Sequence, residues 1–159
     1  MSDPFRILVV CLGNICRSPT AEALLRDRVA ASSLAGRVEV DSAGTGDWHL
    51  GQPPDPRTIA CAARHGLDIA RLRGRQITRR DFDAFDLILC ADRANLRDVR
   101  ALATHRADTV ALLLDWSGIG TDADVPDPYS GDASGFEDVW HLLAKAADGV
   151  VERLQRERR

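Results

Sequence analysis

The sequence predicts an α/β fold: one domain over residues 1–159, with an open parallel four-stranded sheet in the order 2-1-3-4 and helices on both faces. Three observations lead there. The length, 159 residues, suits one hydrophobic core. The run Ile7-Leu8-Val9-Val10 is short, branched and continuous, as in a strand buried on both faces. Strand-like runs then alternate with helix-like segments, which is the pattern of a parallel sheet joined by crossover helices.

The elements follow in chain order. The first strand is expected over Arg6 to Val10. Ser18-Pro19 opens a helix, with Ser18 as cap, Pro19 in the first turn, and Ala21, Leu24, Leu25 and Val29 at helical spacing. A second strand is expected over Arg37 to Val40. The stretch from Ser42 to Pro56, rich in Gly, Pro and Asp and holding Trp48, reads as a loop. Asp55 to His65 reads as a helix stopped by Gly66. A third strand is expected over Asp86 to Cys90, a helix over Asp92 to Ala103, and a fourth strand over Thr109 to Leu113. A long loop, Asp115 to Asp132, precedes a last helix with an apolar stripe from Val139 to Leu154; Ser134 and Glu137 have capping-box spacing.

The bulk numbers exclude several classes. A net charge of −3 argues against broad nucleic-acid binding. No apolar run approaches the length of a membrane span, and Ile7 to Val10 is too short for a signal-peptide core, so no membrane association and a cytoplasmic location are expected. Four cysteines, Cys11, Cys16, Cys61 and Cys90, do not make a disulfide scaffold in a chain this long. No metal site is expected: there is no C-x-x-C pair, and His49, His65, His105 and His141 are scattered. Arg71, Arg73, Arg75, Arg79 and Arg80 form a basic cluster that reads as a solvated face.

The chemistry concentrates in Cys11-Leu12-Gly13-Asn14-Ile15-Cys16-Arg17-Ser18-Pro19. This segment leaves the carboxyl end of the first strand, where open α/β sheets bind ligands, and enters a helix N-terminus, where free N–H groups favour an anion. Gly13 permits a sharp turn, and Asn14 tolerates the left-handed conformation that a cradle of inward N–H groups needs. G-x-x-x-x-G-K-[ST] is absent, so this is no nucleotide P-loop. Arg17 instead offers a planar fork for two phosphoryl oxygens. Cys11 lies where the central atom of the anion would sit, and the field that binds an anion also stabilises a thiolate, with Ser18 as a further donor. C-x5-R-S therefore reads as an activated nucleophile in a phosphate-binding loop, residues 12–18.

A thiolate that attacks phosphorus leaves the departing oxygen in need of a proton. Asp124-Val125-Pro126-Asp127-Pro128-Tyr129 offers Asp127 in a backbone stiffened by two prolines, and Tyr129 could line a pocket for an aromatic group.

Together these segments resemble the low-molecular-weight protein tyrosine phosphatases, over most of the chain. Ser42-Ala43-Gly44-Thr45, Trp48 and Asn95-Leu96-Arg97-Asp98 also fit that family. The resemblance implies metal-independent hydrolysis of phosphotyrosine and small aryl phosphates, without a cofactor. It makes Cys11 the nucleophile that becomes cysteinyl-phosphate, Arg17 the phosphate binder, and Asp127 the acid that later activates water. Asn14, Ser18 and Ser42 would support the loop, and Leu12, Ile15, Trp48 and Tyr129 would form a rim suited to a flat ring. Phosphotyrosine proteins would be the partners. A monomer is the expected state, with weak dimerisation left open. Cys16 could form a protective disulfide with Cys11.

The sequence also departs from the family. Tyr129 is followed by Ser130 rather than a second tyrosine. Leu72 and Arg93 stand where some relatives support the loop with His and Glu. An arsenate reductase would need a third thiol after Cys90, and 91–102 holds none. A phosphoarginine phosphatase would carry a smaller or polar residue in place of Ile15. An idle phosphotyrosine-binding module would need neither the thiol nor the acid.

Overall fold

The computed structural model describes residues 3–158; the ends of the expected 1–159 domain, Met1, Ser2 and Arg159, lie outside the described residues. Four strands, β1 (Phe5–Cys11), β2 (Val38–Gly44), β3 (Leu87–Cys90) and β4 (Val110–Leu112), form one parallel sheet. Their order is β2-β1-β3-β4, as expected. The helices are α1 (Arg17–Ala30), α2 (Pro56–Arg64), α3 (Asp81–Ala84), α4 (Arg93–Leu102), α5 (Leu113–Trp116) and α6 (Ala133–Glu157). No described helix is long and apolar enough to cross a membrane.

Side chains of β1 alternate between two cores, because successive strand residues point to opposite faces. Ile7, Val9 and Cys11 join the larger cluster, with residues of α1, α2, α5 and α6. Leu8 and Val10 join the second, with Phe82 of α3 and Val99 of α4. Ile7 to Val10 are wholly buried, which accounts for their unbroken apolar run. Since β1 is an interior strand, its carboxyl end opens at the middle of the sheet edge.

Several expected boundaries are corrected. The second strand continues through Ser42 to Gly44, where a loop was expected, because it pairs with β1 up to Cys11 against Gly44. Gly44 is further held between Arg75 and Ile77 by backbone bonds of 2.8 Å each. Its lack of a side chain matters, since a Cβ there would come within 2.8 Å of the Leu12 carbonyl. Helix α1 begins at Arg17, so Ser18 lies inside its first turn and does not cap it. Two one-turn helices, α3 and α5, fall where none was expected. The capping box at Ser134 and Glu137 is not formed. Asp132 caps α6 by accepting from the Ser134 N–H, and Glu137 turns to α2 instead. Arg75 leaves the expected solvated cluster, because it is half-buried between Asp41 and Asp81.

Candidate active site

Residues 11–18 run from the end of β1 into α1. Asn14 adopts φ 58°, the left-handed geometry its residue type tolerates. The carbonyls of Cys11, Leu12 and Ile15 accept from the N–H groups of Thr45, Gly46 and Asp55, each at 2.9 Å. With the carbonyls turned outward, the N–H groups of residues 13–18 meet no protein acceptor among the described residues, which leaves them free to serve an anion.

Behind the loop runs a buried chain of polar side chains. The backbone N–H of Arg75 donates to Asn14 Oδ1 at 3.0 Å, which fixes the amide so that Nδ2 points the other way. Asn14 Nδ2 then donates to Ser18 Oγ at 2.7 Å and to Ser42 Oγ at 3.0 Å. The Ser42 hydroxyl donates to Glu22 Oε1 at 2.6 Å. Since Ser18 Oγ accepts from Asn14, its own hydrogen is available to the Cys11 sulfur, 3.0 Å away. From Asn14 the donors therefore run two ways, through Ser18 to the Cys11 sulfur and through Ser42 to Glu22. Glu22 is buried, and burial raises its carboxyl above the ordinary range against the pull of Ser42 and Arg26. Arg26 Nη1 lies 2.7 Å from Oε2 but is not aligned for a hydrogen bond.

Arg17 is almost completely buried. Its Nη1 donates to Asp92 Oδ2 at 2.7 Å and to the Val125 carbonyl at 3.0 Å. That anchors one corner of the fork and leaves the Nε–Nη2 edge to face the cavity. Burial works against the Arg17 charge, but attraction to Cys11, the Asp92 bond and Asp127 outweigh it, so the group stays above its ordinary range. Asp127 stands across the cavity with Oδ2 3.7 Å from Arg17 Nη2, and its Oδ1 accepts from the Tyr129 N–H at 3.1 Å.

The cavity itself has a volume of about 300 Å³ and is lined by Cys11, Leu12, Gly13, Ile15, Cys16, Arg17, Trp48, His49, Asp127 and Tyr129. The structure thus gathers the expected residues from three distant segments. Asn14, Ser18 and Ser42 stand behind it rather than in its wall. Trp48 is 64% exposed and Tyr129 51%, so both form an open rim rather than core. Gly13 allows His49 its place, because a Cβ there would lie 3.1 Å from the imidazole Cδ2.

The other thiols differ. Cys16 is buried in the wall beside Thr58, and burial pushes it up to about 12, which keeps it a neutral thiol. Cys90 sits in the opposite core, wholly buried, and is likewise pushed up to about 12. Its side chain lies on the opposite face of the sheet from that of Cys11.

Sequence reasoning missed Asp92, Glu22, Arg57, Arg75 and His49. Asp92 was legible only as a helix start, and it does cap α4 by accepting from Asn95 N–H at 2.7 Å; its other oxygen holds Arg17. Arg57 sits on α2 with Nη2 donating to the Tyr129 carbonyl at 2.7 Å and Nη1 to the Gly131 carbonyl at 3.3 Å. Its guanidinium is itself held by Asp55. At the two positions of departure, Leu72 packs against the core and Arg93 pairs with Asp124 at 3.2 Å, steadying the approach to Asp127.

The chain is similar to known proteins of one family. Residues 6–159 match the family described as low molecular weight phosphotyrosine protein phosphatase. The chain is 39% identical over 153 residues to the low molecular weight protein-tyrosine-phosphatase YfkJ of Bacillus subtilis, covering 96% of this chain and 97% of that one. It is 42% identical over 151 residues to a low molecular weight protein-tyrosine-phosphatase of Streptomyces coelicolor, covering 92% of each. The crystal structure of YfkJ superposes with a TM-score of 0.92 at 37% identity, over 99% of both chains. The chain belongs to the low molecular weight phosphotyrosine protein phosphatases.

Proposed function

We propose that residues 1–159 act as one phosphatase domain in which Cys11, Arg17 and Asp127 carry the reaction. The Cys11 thiolate attacks phosphorus, and the bond from phosphorus to the phenolic oxygen breaks. Asp127 gives its proton to that oxygen as it leaves. The resulting carboxylate then takes a proton from water, which attacks the cysteinyl-phosphate, releases inorganic phosphate and restores the thiolate. Arg17 and the N–H groups of residues 12–18 bind the equatorial oxygens throughout and supply the electrostatic stabilisation. No metal or cofactor enters these steps.

One observation carries this reading: a single cavity holds the Cys11 sulfur, the Arg17 fork and the Asp127 carboxylate. The open rim of Leu12, Trp48 and Tyr129, with Ile15 in the wall, supports an aromatic ester over a short alkyl one, because an alkyl phosphate leaves the apolar walls unfilled. Phosphotyrosine proteins are the partners proposed, with the enzyme acting as a cytoplasmic monomer. We also assign Cys16 a protective role. When a peroxide oxidises Cys11 to the sulfenic acid, the Cys16 thiol condenses with it, forming a disulfide and releasing water.

The test is Cys11→Ser, assayed on an aryl phosphate in chelator beside phosphoserine and phosphoarginine. The intact enzyme should hydrolyse the aryl ester preferentially, and Cys11→Ser should lose turnover yet still bind inorganic phosphate. Turnover retained in Cys11→Ser rejects the assignment.

A further inference from the structure

Chain order hides a cluster that the fold assembles away from the active site. Cys61 and His65 lie four residues apart at the end of α2, and Glu137 and His141 lie four apart on α6. Residues at that spacing share a helix face, and these two helices pack together, so two pairs of metal-ligating groups meet. The Cys61 sulfur, a His65 ring nitrogen and a Glu137 oxygen lie within 4.8 Å of one another. His65 Nε2 is 2.8 Å from Glu137 Oε2, and His141 Nε2 is 3.8 Å from the same oxygen. Cys61 Sγ is 3.4 Å from Glu137 Oε1.

We propose that Cys61, His65, Glu137 and His141 form a binding site for a thiophilic divalent metal, best fitted by Zn²⁺. A tetrahedral zinc ion with bonds of about 2.0–2.3 Å holds its ligand atoms roughly 3.3–3.6 Å apart. Around Oε2 the separations are 2.8 Å to His65 and 3.8 Å to His141, on either side of that range, and the donors of Cys61, His65 and Glu137 lie within 4.8 Å, so small rotations of the half-buried His65 and Glu137 and of the exposed His141 bring the set onto one ion. The donor set is one sulfur, two imidazole nitrogens and one carboxylate, which suits zinc and does not suit magnesium or calcium. Outer partners are already in place. Arg64 holds Glu137 Oε1 at 2.9 Å, leaving Oε2 to serve as a single donor. Trp140 stacks on the His65 ring at 4.6 Å between centroids and fixes its plane. Burial, with Glu137 beside it, pushes the Cys61 thiol up to about 11, so the ion must displace its proton to solvent. None of the four residues lines the active-site cavity. The bound ion clamps α6 to α2 and takes no part in ester cleavage.

The test is a titration of Co²⁺, then Zn²⁺, into the full chain carrying Cys11→Ser, so that the active-site sulfur does not compete. Expected are one Co²⁺ per chain, the visible bands of tetrahedral cobalt and a thiolate-to-cobalt charge-transfer band, all bleached by Zn²⁺. Cys61→Ser should abolish the charge-transfer band, and His141→Ala should weaken binding at least about tenfold. His141 is largely exposed, so its replacement leaves folding untouched. Failure of any tetrahedral spectrum to develop overturns the proposal. So do bands that persist unchanged in Cys61→Ser, or binding indifferent to His65→Ala and His141→Ala.

Discussion

Arg17 and Asp92, 75 residues apart in the chain, meet at 2.7 Å, and the Asp92 carboxylate that orients this guanidinium also caps α4. Asn can still cap a helix but cannot complete the ion pair. Asp92→Asn should therefore lower kcat about tenfold or more through misalignment of the fork. Removing a negative charge beside Arg17 favours anions, so inhibition by inorganic phosphate should be unchanged or stronger. Steady-state kinetics with phosphate as inhibitor read both effects; a loss of phosphate affinity matching the loss of kcat contradicts the positioning role.

Asp127→Ala should slow hydrolysis of esters with poor leaving groups by roughly 10²–10⁴-fold, and activated aryl phosphates far less, because those need little proton donation. Arg57 grips the acid-bearing loop through the Tyr129 and Gly131 carbonyls. Arg57→Ala should reproduce the same leaving-group dependence at smaller amplitude. A uniform effect across leaving groups would show that Arg57 acts elsewhere.

Asn14 combines a left-handed backbone with three side-chain bonds, and two substitutions separate them. Asn14→Gly keeps the backbone at ease and deletes the bonds, whereas Asn14→Ala adds strain of about 1–2 kcal/mol. Both should lose turnover, since the donor path through Ser18 to Cys11 is cut. In urea unfolding, Asn14→Ala should be the less stable by about that strain; equal stabilities would place Asn14 outside the strained region.

Glu137 is held well below the ordinary carboxylate value of 4.5, at about 2, chiefly by the hydrogen bond to His65 and then by Arg64. A depressed carboxyl stabilises the fold while ionised. That contribution is complete above about pH 4.5 and fades as pH falls toward 2. In chelator, Glu137→Gln should flatten the fall in melting temperature across this window. A variant as acid-sensitive as the parent would show that the Glu137 contacts add nothing to stability.

How much could be read beforehand follows from how local each signal is. Cys11, Arg17 and Ser18 belong to one loop, and Asp127 to a proline-braced segment, so their types and spacing announced the chemistry. Asp92, Glu22 and Arg57 were illegible because each acts through a partner distant in sequence. The Ser18 hydroxyl suits a helix cap by type, but in the fold it is already engaged by Asn14 and Cys11. Ser134 and Glu137 had the spacing of a box, but Arg64 and His65 of the neighbouring helix region draw Glu137 away, and Asp132 takes the cap. The second strand outran its expected end because pairing with β1 overrode the turn-forming residues Ser42 and Gly44.

Cys11 closes a strand flanked on both sides, whereas Asp127 rides on a segment outside the sheet with its side chain 45% exposed. Fluctuations that release the outer segment need not disturb the central strand, whose amides should exchange with solvent only when the whole domain opens. Transient withdrawal of the acid then leaves the anion seat intact. Occupancy by phosphate and competence for turnover thus have separate thermal limits, and warming should silence the catalyst before it empties the seat.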